Sequence, residues 1–177
     1  MDDPASRARA DPLILTLALD PESFSRFDGE RRALFPAHLN RIPAHVTLFH
    51  HLPGSEEVEV VAALRAACAG QRPVAAQVTE VVPLGRGVAY RIEAREIAAL
   101  RAGLAGRWEG WLTPQDRQTW RPHVTVQNKV TPEEARATLG RLRAAFVPWE
   151  ARALGLLLWR YKGGPWEALG EFPFAGA

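Results

Sequence analysis

Two segments half a chain apart place histidine and threonine in the same local setting. The segments IPAHVTLFHH and RPHVTVQNKV each contain His-Val-Thr after a proline, within an apolar and β-branched run. Side chains alternate along a β-strand, so one face of the first strand would carry His45, Thr47, Phe49 and His51. One face of the second strand would likewise carry His123, Thr125, Gln127 and Lys129. The chain has only 5 histidines, so the repeated pattern is the first candidate for a functional site.

Two imidazoles and two hydroxyls suit the cleavage of a phosphodiester. One neutral imidazole can take a proton from water, while the other, protonated, gives a proton to the departing oxygen. The threonine hydroxyls can bind the phosphoryl oxygens as negative charge grows on them. This chemistry requires no metal and no cofactor, and the sequence contains no Gly-rich phosphate loop or kinase-like motif.

The two motifs belong to a longer repeat. HVTLFHHLPGSEEVEVVAALRAA aligns with HVTVQNKVTPEEARATLGRLRAA with one residue of slippage, so a turn and an acid-started amphipathic helix follow each motif. A repeat with two copies indicates two related lobes and not a solenoid. Strands joined by short turns alternate with helices, which predicts an α+β class with antiparallel sheets.

The remaining elements follow from periodicity and cap residues. We predict strands over 12–20, 74–82, 87–94, 153–162 and 165–172, and helices over 21–35, 54–70, 96–112 and 131–146. Ser55 is the expected N-cap of the second helix, and Thr131 with Glu134 forms the expected capping box of the last. We treat residues 1–11 as a polar, flexible tail and residues 12–177 as one domain.

Composition narrows the class of protein. A formal net charge of +2 without a concentrated basic run tolerates a polyanion but is not typical of a dedicated nucleic-acid binder. The single cysteine, Cys68, cannot form an internal disulfide, and the N-terminus lacks the apolar core of a secretory signal. We therefore expect a cytoplasmic monomer that does not associate with a membrane.

Paired His-x-Thr strands in two similar halves resemble the 2H phosphoesterase superfamily, in particular its bacterial 2′-5′ RNA ligase-like branch. The resemblance extends over nearly all of the chain after the tail. It implies a bilobal, duplicated fold in which each lobe is an antiparallel sheet backed by helices, with the site in a central cleft. It also implies metal-independent cleavage of 2′,3′-cyclic phosphates or 2′-5′ linkages in RNA ends or nucleotides.

The resemblance also implies roles for the motif residues. His45 matches the histidine usually given the role of proton donor, and His123 matches the histidine that activates water. Thr47 and Thr125 match the hydroxyls that bind phosphate. The order of acid and base stays open at this stage because the cleft is nearly symmetric. The sequence departs from the family pattern after each threonine. His50 and His51 follow the first motif in place of an apolar or aromatic pair, and Gln127 and Asn128 precede the first cation, Lys129, after the second.

Five further residues are candidates for binding substrate. His51 and Lys129 occupy equivalent positions in the repeat, either at the rim of the cleft or at a solvated strand end. Arg121 would grip phosphate or lie free on the surface. Phe49 and Trp120 would stack on a base or pack in the core.

Three alternatives remain at the level of the sequence. His45, His50 and His51 would be zinc ligands in a rival enzyme, although a regular strand would turn His50 away and leave the second motif unexplained. A binding module for RNA ends or nucleotides would use the same cleft without turnover. Ligation of 2′-5′ RNA ends would be the reverse of the hydrolytic reaction.

Overall fold

A computed structural model describes residues 11–177. The predicted tail, apart from Asp11, lies outside the described residues. In residues 11–177 the elements are, in chain order, β1 (Leu13–Leu19), α1 (Pro21–Leu34), β2 (Thr47–Leu52), α2 (Glu57–Ala69), β3 (Val74–Pro83), β4 (Val88–Glu93), α3 (Arg95–Arg107), β5 (His123–Gln127), α4 (Pro132–Ala145), β6 (Trp149–Arg160) and β7 (Glu167–Pro173). Three short 3₁₀ helices (Ala37–Leu39, Gly54–Glu56 and Glu109–Trp111) complete the described secondary structure. The α+β class predicted from the sequence is confirmed.

The strands of residues 11–177 form one antiparallel sheet in which β6 is shared by two halves. The strand order is β2-β1-β6-β3-β4-β5, and β7 also pairs with β6. Ala153 of β6 pairs with Leu19 of β1 on one edge and with Val74 of β3 on the other. The first motif lies in β2 and at its approach, and the second lies in β5, at the two ends of this strand path. The sheets expected for the two lobes are therefore continuous through β6.

Two helices do not pack on the half that contains the strand before them. Each packs on the opposite half. Helix α1 follows β1 but packs on the second half, where Phe27 lies 5.0 Å from Trp149 and Glu30 accepts a hydrogen bond from Tyr90. Helix α3 follows β4 but packs on the first half, where Trp108, at its end, meets Phe49. Helices α2 and α4 stay with the half that contains their preceding motif. Each half is thus completed by a helix from the other.

Local sequence signals account for most helix boundaries, with two corrections. The capping box of Thr131 and Glu134 is present at the start of α4. Ser55 does not cap α2, because it lies in the preceding 3₁₀ turn and Glu56 takes the N-cap position. The helix predicted to reach residue 112 ends at Arg107, since Trp108 leaves the helical conformation to fill the core.

The core lies between the helices and the sheet. Cys68 is buried in it, and burial raises the pKa of its thiol to about 11. Gly155 allows close approach of β6 and β7, because a Cβ at this position would lie 2.5 Å from the carbonyl oxygen of Phe172. None of the helices in residues 11–177 combines the length and apolar character needed to span a bilayer.

Candidate active site

A β-bulge follows the threonine of each motif. In β2, Thr47 and Phe49 pair with consecutive residues of β1, which leaves Leu48 as the extra residue. In β5 the same irregularity falls one residue after Thr125, at Val126. Both strands therefore lose their regular alternation at the point where the motif ends.

The bulges change which side chains reach the cleft. Leu48 and Phe49 are both fully buried, while His50 and His51 are both exposed. The predicted shared face of His45, Thr47, Phe49 and His51 is therefore wrong beyond the threonine. Phe49 packs in the core beneath the guanidinium of Arg101, 4.6 Å from its ring centroid, and does not line the cleft.

The two catalytic candidates are anchored in the same way. His45 Nδ1 donates to the carbonyl oxygen of Pro43 at 2.8 Å, and His123 Nδ1 donates to that of Arg121 at 2.9 Å. A carbonyl oxygen only accepts, so the proton on each ring lies at Nδ1 when the imidazole is neutral. This leaves Nε2 of both rings free for proton transfer.

Three side chains donate hydrogen bonds to backbone carbonyl groups of the two irregular strands. Arg101 Nε donates to the carbonyl oxygen of Leu48 at 2.7 Å, and the Trp120 indole donates to that of Thr47 at 2.8 Å. In the second half, Arg31 Nη1 donates to the carbonyl oxygen of Thr125 at 2.8 Å. The arginines come from the exchanged helices α3 and α1, so the exchange of helices holds both motif strands in position.

Residues from both halves line one polar cavity of about 530 Å³. We define this polar chamber by Thr47 and His50 of β2, Trp120 and Arg121 of the following half, and His123 of β5. Arg101, Gln115, Asp116, Gln118 and Thr119 complete its lining. The strands at opposite ends of the sheet path therefore face a common space.

His45 lines a second, more apolar cavity of about 310 Å³. We define this aromatic chamber by Phe24, His45, Trp159 and Trp166, with Glu171 as its one carboxylate among the described residues that line it. The ring of Trp166 lies 4.8 Å from that of His45, and the Trp159 indole is fixed by a 2.8 Å hydrogen bond to Thr16 Oγ1. An aromatic ring thus lies directly against the His45 imidazole.

Enclosure sets the protonation state of His45. Burial lowers the pKa of His45 to about 4, although the hydrogen bond to Pro43 acts in the opposite direction. Positive charge on Arg31, His123 or His50 lowers this pKa further. His45 therefore lies within electrostatic reach of the other two imidazoles, and it is neutral at pH 7 in the free protein.

A buried carboxylate ties the end of β2 to the loop before β5. Asp116 accepts hydrogen bonds from the backbone amides of His50 and His51 and, at 3.1 Å, from His50 Nδ1. Burial alone would raise the pKa of Asp116, but these hydrogen bonds outweigh it and hold the pKa below its ordinary value. Asp116 is therefore a carboxylate that orients the His50 ring.

The remaining predicted site residues divide between the chamber and the surface. Trp120 and Arg121 line the polar chamber, Trp120 half-buried and Arg121 exposed. His51 is exposed and lies outside the chamber lining. Lys129 is exposed in a left-handed conformation with φ of 63°. The interpretation of His51 and Lys129 as strand-end residues is thus the one that their positions favour.

The histidines of the zinc hypothesis do not converge. No group of three or more histidine, cysteine or acidic side chains suited to a metal occurs within residues 11–177. His50 Nδ1 is engaged by Asp116, while His45 Nδ1 is engaged by a backbone carbonyl. The described residues therefore do not support a zinc site at His45, His50 and His51.

The sequence matches the family model of the 2′-5′ RNA ligase superfamily over residues 19–165. The chain belongs to this superfamily. The match includes both His-Val-Thr motifs and confirms the family resemblance stated from the sequence. No curated protein matches the sequence of this superfamily member.

Solved structures show the same fold at low sequence identity. The chain is similar to TT0787 of Thermus thermophilus, with a TM-score of 0.65 and 19% identity over 92% of this chain and 97% of that one. It is also similar to a protein described as a phosphoesterase, with a TM-score of 0.61, 16% identity and coverage of 94% and 99%. Escherichia coli LigT complexed with 3′-AMP gives a TM-score of 0.59 and 15% identity, with coverage of 93% and 98%.

Proposed function

We propose that this member of the superfamily is a metal-independent phosphoesterase that hydrolyses 2′,3′-cyclic phosphate or 2′-5′ phosphodiester linkages of RNA ends or nucleotides. The observation that carries the proposal is the paired anchoring of His45 and His123, each with its proton fixed at Nδ1 and Nε2 left free. Two imidazoles held this way provide an acceptor and a donor for the two proton transfers of hydrolysis.

The threonines and the chamber around them supply the electrostatic part of the reaction. Thr47 lies at the polar chamber together with His123, and Thr125 follows His123 by two residues on β5. Their hydroxyls would donate to the nonbridging phosphoryl oxygens, which carry more charge in the transition state than in the ground state. Hydrogen bonds from Trp120 and Arg31 hold the backbone carbonyl groups of these two threonines.

The environments of the two histidines favour an order for the proton transfers. The low pKa of His45 leaves its Nε2 lone pair available at neutral pH, so in the free protein His45 is ready to accept a proton from water. His123 is exposed and would give its proton to the departing oxygen. This order reverses the roles that the family resemblance implies. His45 would act as donor only if the bound phosphate raised its pKa.

Two observations support a nucleotide as substrate. The structural neighbour LigT has been solved in complexes with 3′-AMP, ATP and NADP⁺. In this chain, the aromatic chamber offers the rings of Trp159 and Trp166 beside His45, where a nucleobase can stack. The polar chamber beside it offers arginine, histidine and hydroxyl groups to phosphate.

The test is hydrolysis of 2′,3′-cyclic nucleotides in excess EDTA by the wild type and by His45→Ala and His123→Ala. We expect the wild type to turn over and each variant to lose about 10²–10⁴ in kcat, the usual contribution of one acid or base. His38→Ala is the matched control, because His38 is exposed in the 3₁₀ turn Ala37–Leu39.

Other outcomes assign other functions. If the folded wild type binds these nucleotides without turnover, the cleft is a binding module. If turnover requires a divalent metal, the two-histidine mechanism is wrong. Joining of 2′-5′ RNA ends in place of hydrolysis would identify a ligase, in which the same proton transfers run in reverse.

A further inference from the structure

The polar chamber contains the imidazole of His50 in addition to that of His123, and the mechanism proposed for His45 and His123 does not use it. His50 lines the chamber together with Thr47 and His123, and its side chain is 44% exposed. Its Nδ1 donates to Asp116 Oδ1 at 3.1 Å, which leaves Nε2 directed away from the carboxylate. His50 differs in this respect from His45 and His123, whose Nδ1 atoms donate to neutral carbonyl oxygens.

The carboxylate of Asp116 is buried and is held by several hydrogen bonds. Its side chain is 0% exposed, and it accepts from two backbone amides in addition to the imidazole. The backbone carbonyl of Asp116 accepts a further hydrogen bond from Arg101 Nη2 at 2.8 Å. A carboxylate fixed in this way restricts the ring of His50 to one orientation and compensates positive charge on it.

The charge of the polar chamber favours an anion near His50. Among the described residues that line it, Asp116 is the one carboxylate, and its charge is offset by the buried guanidinium of Arg101. Arg121 adds a positive charge, and His50 and His123 add further charge when protonated. The aromatic chamber, by contrast, has Glu171 and a neutral His45.

The size of the polar chamber also exceeds the needs of one phosphate. Pockets of about 300–1,000 Å³ accommodate whole small-molecule ligands, and this chamber alone has about 530 Å³. Gln115, Gln118 and Thr119 line the part of it that comes from the loop before β5. A group beyond the scissile phosphate therefore has both space and hydrogen-bond partners.

We infer that His50, oriented by Asp116 and assisted by Arg121, forms a second phosphate subsite that binds the 5′-phosphate of the nucleotide whose cyclic phosphate is cleaved. This inference rests on the proposed function and names its substrate class. The substrate is a nucleotide that carries a 5′-phosphate or a 5′-linked chain, with its base toward the aromatic chamber. His50 is then a specificity-determining residue, and Asp116 is a positioning residue that acts through it.

The binding experiment uses adenosine 2′-monophosphate and adenosine 2′,5′-bisphosphate, which differ only in the 5′-phosphate. We expect isothermal titration calorimetry to show that the wild type binds the bisphosphate roughly tenfold more tightly, the effect of one charge-assisted contact. His50→Ala should reduce this ratio to about twofold or less. His38→Ala, the matched control, should keep the wild-type ratio.

Asp116→Asn separates positioning from support of the fold. If Asp116 orients His50, the variant should lose most of the preference for the bisphosphate while its affinity for the monophosphate changes less. A purely structural role would lower the thermal midpoint, or both affinities together, and leave the ratio unchanged. That result would overturn the role assigned to Asp116.

Turnover separates the subsite from the proposed function. We expect kcat/KM of the wild type to be roughly tenfold higher for 5′-phosphoadenosine 2′,3′-cyclic phosphate than for the cyclic phosphate with a free 5′-hydroxyl, and His50→Ala to abolish this difference. If neither compound is hydrolysed but the affinity ratio still depends on His50, the subsite holds and the phosphoesterase function fails. Equal affinity of the wild type for the two adenosine phosphates, or a ratio unchanged in His50→Ala, would overturn the subsite.

Discussion

The two motif strands share a backbone design but differ in the surroundings of their histidines. Each histidine donates to the carbonyl oxygen two residues before it, and each threonine is followed by a bulge. His45, however, lies against Trp166, whereas His123 is exposed beside Arg121. A nearly symmetric frame therefore holds two imidazoles in unequal environments.

In the proposed mechanism, this difference divides the work of acid and base between the two halves. Hydrogen bonding to a carbonyl fixes the tautomer of both rings equally, so it does not distinguish their roles. Enclosure can distinguish them, because burial disfavours the charged form of His45. Residues outside the repeat, such as Trp166, contribute to the enclosure of His45.

The largest effect that we expect concerns the threonine hydroxyls, which both motif strands share. Thr47→Val and Thr125→Val keep the shape of the strand but remove the hydroxyl, so we expect kcat for a 2′,3′-cyclic nucleotide to fall by about 10²–10³ in each. Thr79→Val is a suitable control, because the Thr79 hydroxyl is buried without a hydrogen-bond partner within the described residues. Unchanged rates in both motif variants would remove the threonines from the mechanism.

A second test concerns the arginine that supports the first motif strand. Arg101→Met leaves the carbonyl groups of Leu48 and Asp116 buried without donors, so we expect the free energy of unfolding to fall by about 3–4 kcal/mol. Arg107→Met on the same helix breaks an exposed ion pair with Glu59 and should cost less than about 1 kcal/mol. Urea denaturation measures both values. Similar losses in the two variants would show that Arg101 has no special role in holding β2.

A smaller effect isolates the enclosure of His45. Its pKa is about 4 in the folded protein against an ordinary value of 6.5, so between these values the unfolded chain binds more protons. Stability is therefore complete above pH 6.5 and is lost as the pH falls through 4, by up to about 3 kcal/mol at 1.36 kcal/mol per pKa unit. His45→Gln should lack this loss, whereas His38→Gln should retain it. Parallel stability curves for the wild type and His45→Gln from pH 7 to pH 4 would contradict the low pKa.

Local pattern was sufficient to predict most elements and to single out the two His-Val-Thr motifs as the candidate site. His45 and Thr47, like His123 and Thr125, are close in sequence, so their pairing could be read without knowledge of the fold. The capping box at Thr131 is equally local. The bulges were missed because they arise from pairing with β1 and β4, and no turn residue in the motif marks them.

Long-range contacts account for the rest of what sequence reasoning missed. Asp116 lies 66 residues from His50, and Arg31 lies 94 residues from Thr125, with no shared pattern that links them. The exchange of helices α1 and α3 between the halves brings Arg31 and Arg101 to the motif strands, and the repeat itself suggested separate lobes. The burial of Arg31 and Arg101 would have pointed to these contacts, but burial is known only from the structure.

The measurement to make first is the pH dependence of kcat/KM for adenosine 2′,3′-cyclic phosphate. Because kcat/KM reports the protonation of the free protein, it tests whether two imidazoles transfer the protons. We predict a bell-shaped profile whose acidic limb lies near pH 4, where His45 must lose its proton, and whose alkaline limb reflects the need for a protonated donor. A profile that is flat through the range of histidine titration would contradict the two-histidine mechanism.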